Sequence, residues 1–103
     1  SFYKKVTNDY KNSPYFAEAM LSLGHIYWQE GNFDKAQDYF NKVRSLNSPL
    51  SVKAELYLAR VYSQKNQYNK SLAIYNKLNS SSSEISKAAL LDKAAIFKDL
   101  KRY

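Results

Sequence analysis

The chain has 103 residues, 45% of them hydrophobic and 16% aromatic, enough for one domain with a core. Two glycines and two prolines suit helices and argue against a loop-rich all-β fold. The absence of cysteine excludes disulfides, thiol catalysis and cysteine-based zinc sites.

The formal net charge of +7 divides as −1 over residues 1–34, +4 over 35–69 and +4 over 70–103. No dense basic run results. A lysine-rich solvated surface accounts for the excess; nucleic acid or an acidic lipid surface is the competing reading. No stretch approaches the ~20 apolar residues that span a bilayer, and no signal-peptide pattern is present. Both ends fall inside helical patterns, so the chain reads as part of a longer protein.

Phe2, Tyr3, Val6 and Tyr10 lie at helical spacing and read as the tail of a helix. Ser13-Pro14 then supplies a start signal, serine as N-cap and proline at the first helical position. From there to about Glu30, the residues Phe16, Ala17, Met20, Leu23, Gly24 and Tyr27 recur at three and four, the period of an amphipathic helix. Gly31 fits a left-handed stop. Asn32 can cap a second helix to about Leu46, with Ala36, Tyr39, Phe40 and Val43 inward. So short a turn makes the two helices antiparallel neighbours.

Ser48-Pro49 repeats the start signal 35 residues later. The helix it opens runs to about Lys65, with Val52, Leu58, Ala59 and Tyr62 inward. Asn66 takes the place of Gly31, because asparagine tolerates left-handed geometry. Tyr68 to about Asn79 follows, with Leu72, Tyr75 and Leu78 inward. Ser80 to Ser83 reads as a flexible link ending in an N-cap. The last helix, about Glu84 to Leu100, carries Ile85, Ala88, Leu91, Ala94, Ala95 and Phe97 on its inner side.

The skeleton recurs with a period of 35: Leu23-Gly24-x-x-Tyr27, Leu58-Ala59-x-x-Tyr62, then Lys93-Ala94-x-x-Phe97. A fixed period in this range marks a stacked repeat array. Small residues (Gly24, Ala59, Ala94; Ala36, Ser71) let helices approach, and large ones (Tyr27, Tyr62, Phe97; Phe40, Tyr75) fill the adjoining space.

With Gly31, Phe33, Ala36, Phe40 and Pro49, this pattern resembles the tetratricopeptide repeat family. The resemblance implies an all-α fold of about six helices, antiparallel hairpins stacked in a right-handed superhelix. Residues 1–12 would be the second helix of a preceding repeat, 13–47 and 48–82 full repeats, and 83–103 the first helix of a further one or a capping helix. The period of 35 departs from the usual 34, Lys93 stands where leucine is expected, and Met20 stands where tryptophan is frequent. The link Tyr10-Lys11-Asn12-Ser13-Pro14-Tyr15-Phe16-Ala17-Glu18-Ala19 is similar to links in bacterial envelope members of the family, those of outer-membrane assembly lipoproteins and of the Tol–Pal system, which implies a periplasmic or cell-envelope setting.

In such a stack the first helices line a concave groove for a partner protein or peptide. Spacing places Leu21, His25, Trp28 and Gln29 there in the first unit, Leu56, Tyr57, Arg60 and Gln64 in the second, and Leu91, Asp92, Ala95 and Lys98 in the third. Trp28 and Arg60 are of the types that carry most binding energy; the alternative is that Trp28 packs against a neighbouring helix. The asparagines of the family's clamp for terminal carboxylates are absent. His25, the sole histidine, has no nucleophile that spacing pairs with it. Asp34 and Asp38 suit a helix N-terminus better than a catalytic or metal pair. Nothing implies a cofactor, a metal or an enzyme. A structural spacer within a larger complex is the other non-catalytic reading.

Overall fold

A computed structural model describes residues 15–46, 48–78 and 82–101. They form five helices and, among the described residues, no strand: α1 (Phe16–Gln29), α2 (Phe33–Ser45), α3 (Ser51–Gln64), α4 (Tyr68–Leu78) and α5 (Ser83–Leu100). Each helix packs on its successor, and α5 also reaches back to α3. The expected helix over residues 1–10 and the Ser13-Pro14 start lie outside the described residues.

The turns form as the sequence predicts. Gly31 has φ +80° and Asn66 φ +62°, the left-handed conformation at which each first helix ends. At the first turn the Asn32 N–H donates to the Tyr27 carbonyl and the Gly31 N–H to the Trp28 carbonyl. At the second, the Gln67 N–H donates to Tyr62 and the Asn66 N–H to Ser63. This paired closure satisfies carbonyls that a helix end leaves open. Asn32 then caps α2, its side chain accepting from the Lys35 N–H at 3.4 Å. Ser82 caps α5 in the same way through Ile85.

The start of α3 differs from expectation. The helix begins at Ser51, two residues after Pro49, and Ser48 is no N-cap. Its hydroxyl accepts from the Leu50 N–H at 3.1 Å, and its own N–H donates to the Ser51 hydroxyl at 3.0 Å. Ser51 in turn donates to the Val43 carbonyl at 3.2 Å. The two serines therefore make a turn tied to the end of α2, and the helix starts where that turn closes.

The core runs through the middle of the stack. Ala36, Phe40, Leu58, Ala59, Tyr75, Leu78, Ala89 and Ile96 form its main cluster, and Ala17, Met20, Val43 and Ala54 a second. Gly24 is where α1 and α2 come closest: a Cβ built there would stand 2.6 Å from Phe40 Cε1. Ser71, fully buried, donates its hydroxyl to the Ala59 carbonyl at 2.8 Å, which meets the hydrogen-bonding need of a polar group at a small-residue position. Lys35 stands over the Tyr27 ring at 5.2 Å, and Lys70 over Tyr62 at 5.5 Å, so this contact also recurs every 35 residues.

Two inward expectations fail. Val52 is exposed, because the delayed start of α3 leaves it in the first turn, beside the loop. On α5 the inward face is Ala89 and Ile96, whereas Leu91, Ala94, Ala95 and Phe97 are all exposed. The face that Gly24 and Tyr27 turn toward α2 has no counterpart helix against α5 among the described residues.

Candidate partner-binding surface

Successive first helices lie side by side, and the furrows between them are open. One cleft, of about 530 Å³, lies between α1 and α3 and is lined by Glu18, Leu21, Ser22, Lys53 and Tyr57 with the 48–50 turn. A second, of about 370 Å³, lies between α3 and α5 and is lined by Trp28, Arg60, Gln64, Tyr68, Asp92 and Asp99, among others. A small cavity of about 50 Å³, walled by His25, Trp28, Phe40, Tyr57 and Arg60, stands between them.

That wall is a chain of stacked groups. The His25 ring stacks on Tyr57 at 4.9 Å and 16°, and on Trp28 at 5.9 Å and 27°. Phe40 meets the other flank of this group, tilted against Tyr57 at 5.6 Å. The Arg60 guanidinium lies 5.9 Å from the Tyr57 ring centroid, a cation–π distance. Its Nε donates to Asp92 Oδ2 at 2.8 Å. The Tyr75 hydroxyl donates to the same oxygen at 3.0 Å. Burial first, and then the Asp92 carboxylate beside it, hold the Tyr75 hydroxyl above its ordinary value of 10. Ser63 and Ser71 sit 2.7 Å apart; since Ser71 spends its hydrogen on Ala59, Ser63 is the donor.

These contacts are the same contacts made twice. Shifting by 35 turns His25 into Arg60, Tyr57 into Asp92 and Phe40 into Tyr75. His25 touches Tyr57 as Arg60 touches Asp92, and Phe40 touches Tyr57 as Tyr75 touches Asp92. Trp28 and Ala36 likewise become Ser63 and Ser71. The seam between α1 and α3 is aromatic, and the equivalent seam between α3 and α5 is ionic and hydrogen-bonded.

The residues expected to face a partner therefore divide. Gln29 and Gln64 are exposed, and Leu21 is half-buried in the wall of the first cleft. His25, Tyr57, Arg60 and Asp92 line the clefts but are already engaged with one another. Leu56 is buried and offers no surface, because it supports the core beneath Tyr57. Trp28 packs on the main core cluster, as the alternative reading had it, while its edge reaches the second cleft. Its indole N–H is enclosed without an acceptor. On α5, Ala95 lines the second cleft, whereas Leu91 and Lys98 are simply exposed. Sequence reasoning passed over Ser63, Ser71, Asp99 and the Tyr75 hydroxyl. A comparison of the repeats at every aligned position, not only the conserved skeleton, brings out the first two.

Asp34 pairs with Lys65 at 2.7 Å, a bridge between the two turns. Among the described residues no three histidine or acidic side chains stand together to hold a metal. No helix of the described residues is long and apolar enough to cross a membrane.

No curated protein and no solved structure matches the chain. The family described as Tetratricopeptide repeat matches it over residues 17–48 and 58–84, more than half its length. The first stretch takes in the α1–α2 hairpin with its Gly31 turn, and the second reaches from Leu58 across the Asn66 turn to the start of α5. Together with the antiparallel stack they build, these matches show that the chain belongs to the tetratricopeptide repeat family.

Proposed function

We propose that the chain is a non-enzymatic protein–protein interaction module that takes a partner segment along its first-helix side. Repeats of this family mediate protein–protein interaction. The observation that carries the reading for this chain is the pair of open clefts between α1, α3 and α5. Their linings differ. The first combines apolar groups (Ala17, Leu21, Leu50) with the opposed charges Glu18 and Lys53. The second is polar and contains the aromatic edges of Trp28 and Tyr68. An extended or helical segment lying across both would pass over the His25–Tyr57–Arg60 ridge. The enclosed Trp28 N–H offers a donor to a carbonyl that reaches the small cavity it shares with Arg60, and satisfying it would remove a cost of about 1–3 kcal/mol.

The test uses groove positions that are not engaged in the seams. A photo-crosslinking residue at Gln29 or Gln64 should capture the partner from a lysate of the source organism, and one at Lys42 on α2 should not. Equal capture from both faces would sink the groove reading. Alanine at Arg60 is a poor probe, because it breaks the ionic seam as well.

A setting in a bacterial envelope assembly is the narrower proposal. It is supported by the phrase at residues 10–19, of which 10–14 lie outside the described residues. Fractionation of cells expressing the parent protein checks it. Recovery in the cytosolic fraction would end it. Polyanion binding is less favoured, since many of the bases already have internal partners. Lys35, Lys42 and Lys70 stand over tyrosine rings, Lys65 and Lys77 pair with acids, and Lys93 donates to Asn76.

A further inference from the structure

The outer face of α5 is the feature that the groove reading leaves unused. Leu90, Ala94 and Phe97 follow one another at spacings of four and three, so they form one stripe. Leu90 and Phe97 are 55% and 50% exposed, and Ala94 is exposed with them. Shifting back by 70 residues places them on Met20, Gly24 and Tyr27, the residues that α1 turns toward α2. The stripe thus has the register of a helix-receiving face, with a small residue at its centre where two helices come closest.

Its rim is basic. Lys87, Lys98 and Lys101, all exposed, continue the same stripe at spacings of three and four. Asp92 points away, into the contact with Arg60 and Tyr75. Asp99 lines the cleft on the other side. Glu84, at the first turn, is the sole acid near the stripe on α5. Lys98 and Lys101 also suit the negative C-terminal end of the helix; Lys87, in the N-terminal half, is not explained that way. Such a rim repels a second copy of α5 laid against it, because the lysines of both copies would meet.

We propose that this face docks an amphipathic helix of another protein, with a small and aromatic stripe and an acidic rim. Packing of the apolar stripe would follow the pattern of α2 on α1, and the lysines would select for acidic flanks. The site is separate from the groove, so a loss of docking here leaves the groove reading standing.

The probe is a labelled synthetic peptide with the sequence of residues 33–46, the segment that α1 already accepts, carrying K35E, K42E and R44E. It then holds Asp34, Asp38 and three glutamates, and no base. Fluorescence anisotropy against the full 103-residue chain should show saturable binding at low salt. Phe97→Glu, on an exposed side chain, should weaken it at least tenfold with the helical circular dichroism unchanged. Lys98→Glu with Lys101→Glu should weaken it several-fold, and the unmodified peptide should bind more weakly than the acidic one. No saturable binding, or binding that Phe97→Glu leaves intact, overturns the proposal. So does equal binding of the two peptides. Self-association in light scattering that Phe97→Glu abolishes would overturn it too, by naming a second copy as the occupant.

Discussion

Gly24 offers a test in which the sign of the effect decides. An ordinary glycine inside a helix is a weakness, and replacing it with alanine stabilises by about 0.5–1 kcal/mol. Here the added Cβ would stand 2.6, 2.8 and 3.1 Å from three atoms of the Phe40 ring, against an ordinary carbon–carbon contact of about 3.5–4.0 Å. The ring or the helix must move by roughly 1 Å to relieve that contact. The ring has little room, being buried against Tyr57. Overpacking of this kind costs about 1–3 kcal/mol, so after the helix-propensity gain Gly24→Ala should destabilise by about 1 kcal/mol. Urea unfolding followed by circular dichroism measures it as a lower midpoint at unchanged slope. A double variant, Gly24→Ala with Phe40→Leu, should show a favourable coupling above about 0.5 kcal/mol, because the smaller side chain makes space for the methyl. If Gly24→Ala raises the midpoint, the close approach of α1 and α2 is not what the contact distances say.

Three further outcomes follow from the turns and the ionic seam. Asn66→Ala, at φ +62°, should cost about 1 kcal/mol for the left-handed backbone and lower Tm by about 4–8 °C, while Asn66→Gly should leave Tm equal or higher. A double-mutant cycle with Arg60→Met and Asp92→Asn should give a coupling of about 0.5–1 kcal/mol, held down by side-chain exposures of 38% and 25%, and the coupling should shrink in high salt. The Tyr75 hydroxyl holds its proton above the ordinary value of 10, so above pH 10 the unfolded chain loses a proton that the native state keeps, and stability falls. Tyr75→Phe should remove that part of the decline, read as a shallower loss of urea midpoint between pH 9 and pH 11.

How much of this could be read from the sequence depends on the range of the interaction that fixes each feature. Gly31 and Asn66 announced their turns because a left-handed stop is a local requirement, met by one residue. The serines at 48 and 51 are local too, yet their turn was missed, since Ser-Pro fits an N-cap as well as it fits a turn closed by a second serine. On α5, periodicity grouped Ala94 and Phe97 on one face correctly but could not say whether a neighbour covers it. The groove residues were misread for a related reason. Spacing placed His25 and Arg60 on the right side of their helices, but their partners lie 32 residues away, in the next unit.

The exchange of chemistry between the two seams bears on how the stack behaves as a whole. His25, Tyr57 and Phe40 hold α1 to α3 through ring contacts, which salt does not screen and which strengthen with the apolar area they bury. Arg60, Asp92 and Tyr75 hold α3 to α5 through charges that are partly exposed and therefore screened. The second seam should yield first as ionic strength rises, and α5 should loosen from a stack that otherwise stays closed. Hydrogen exchange at low and high salt would show this as lost protection confined to α5. Equal loss in α1 would mean that the two seams, alike in position, are also alike in strength, and that the change of side chains between them has no mechanical consequence.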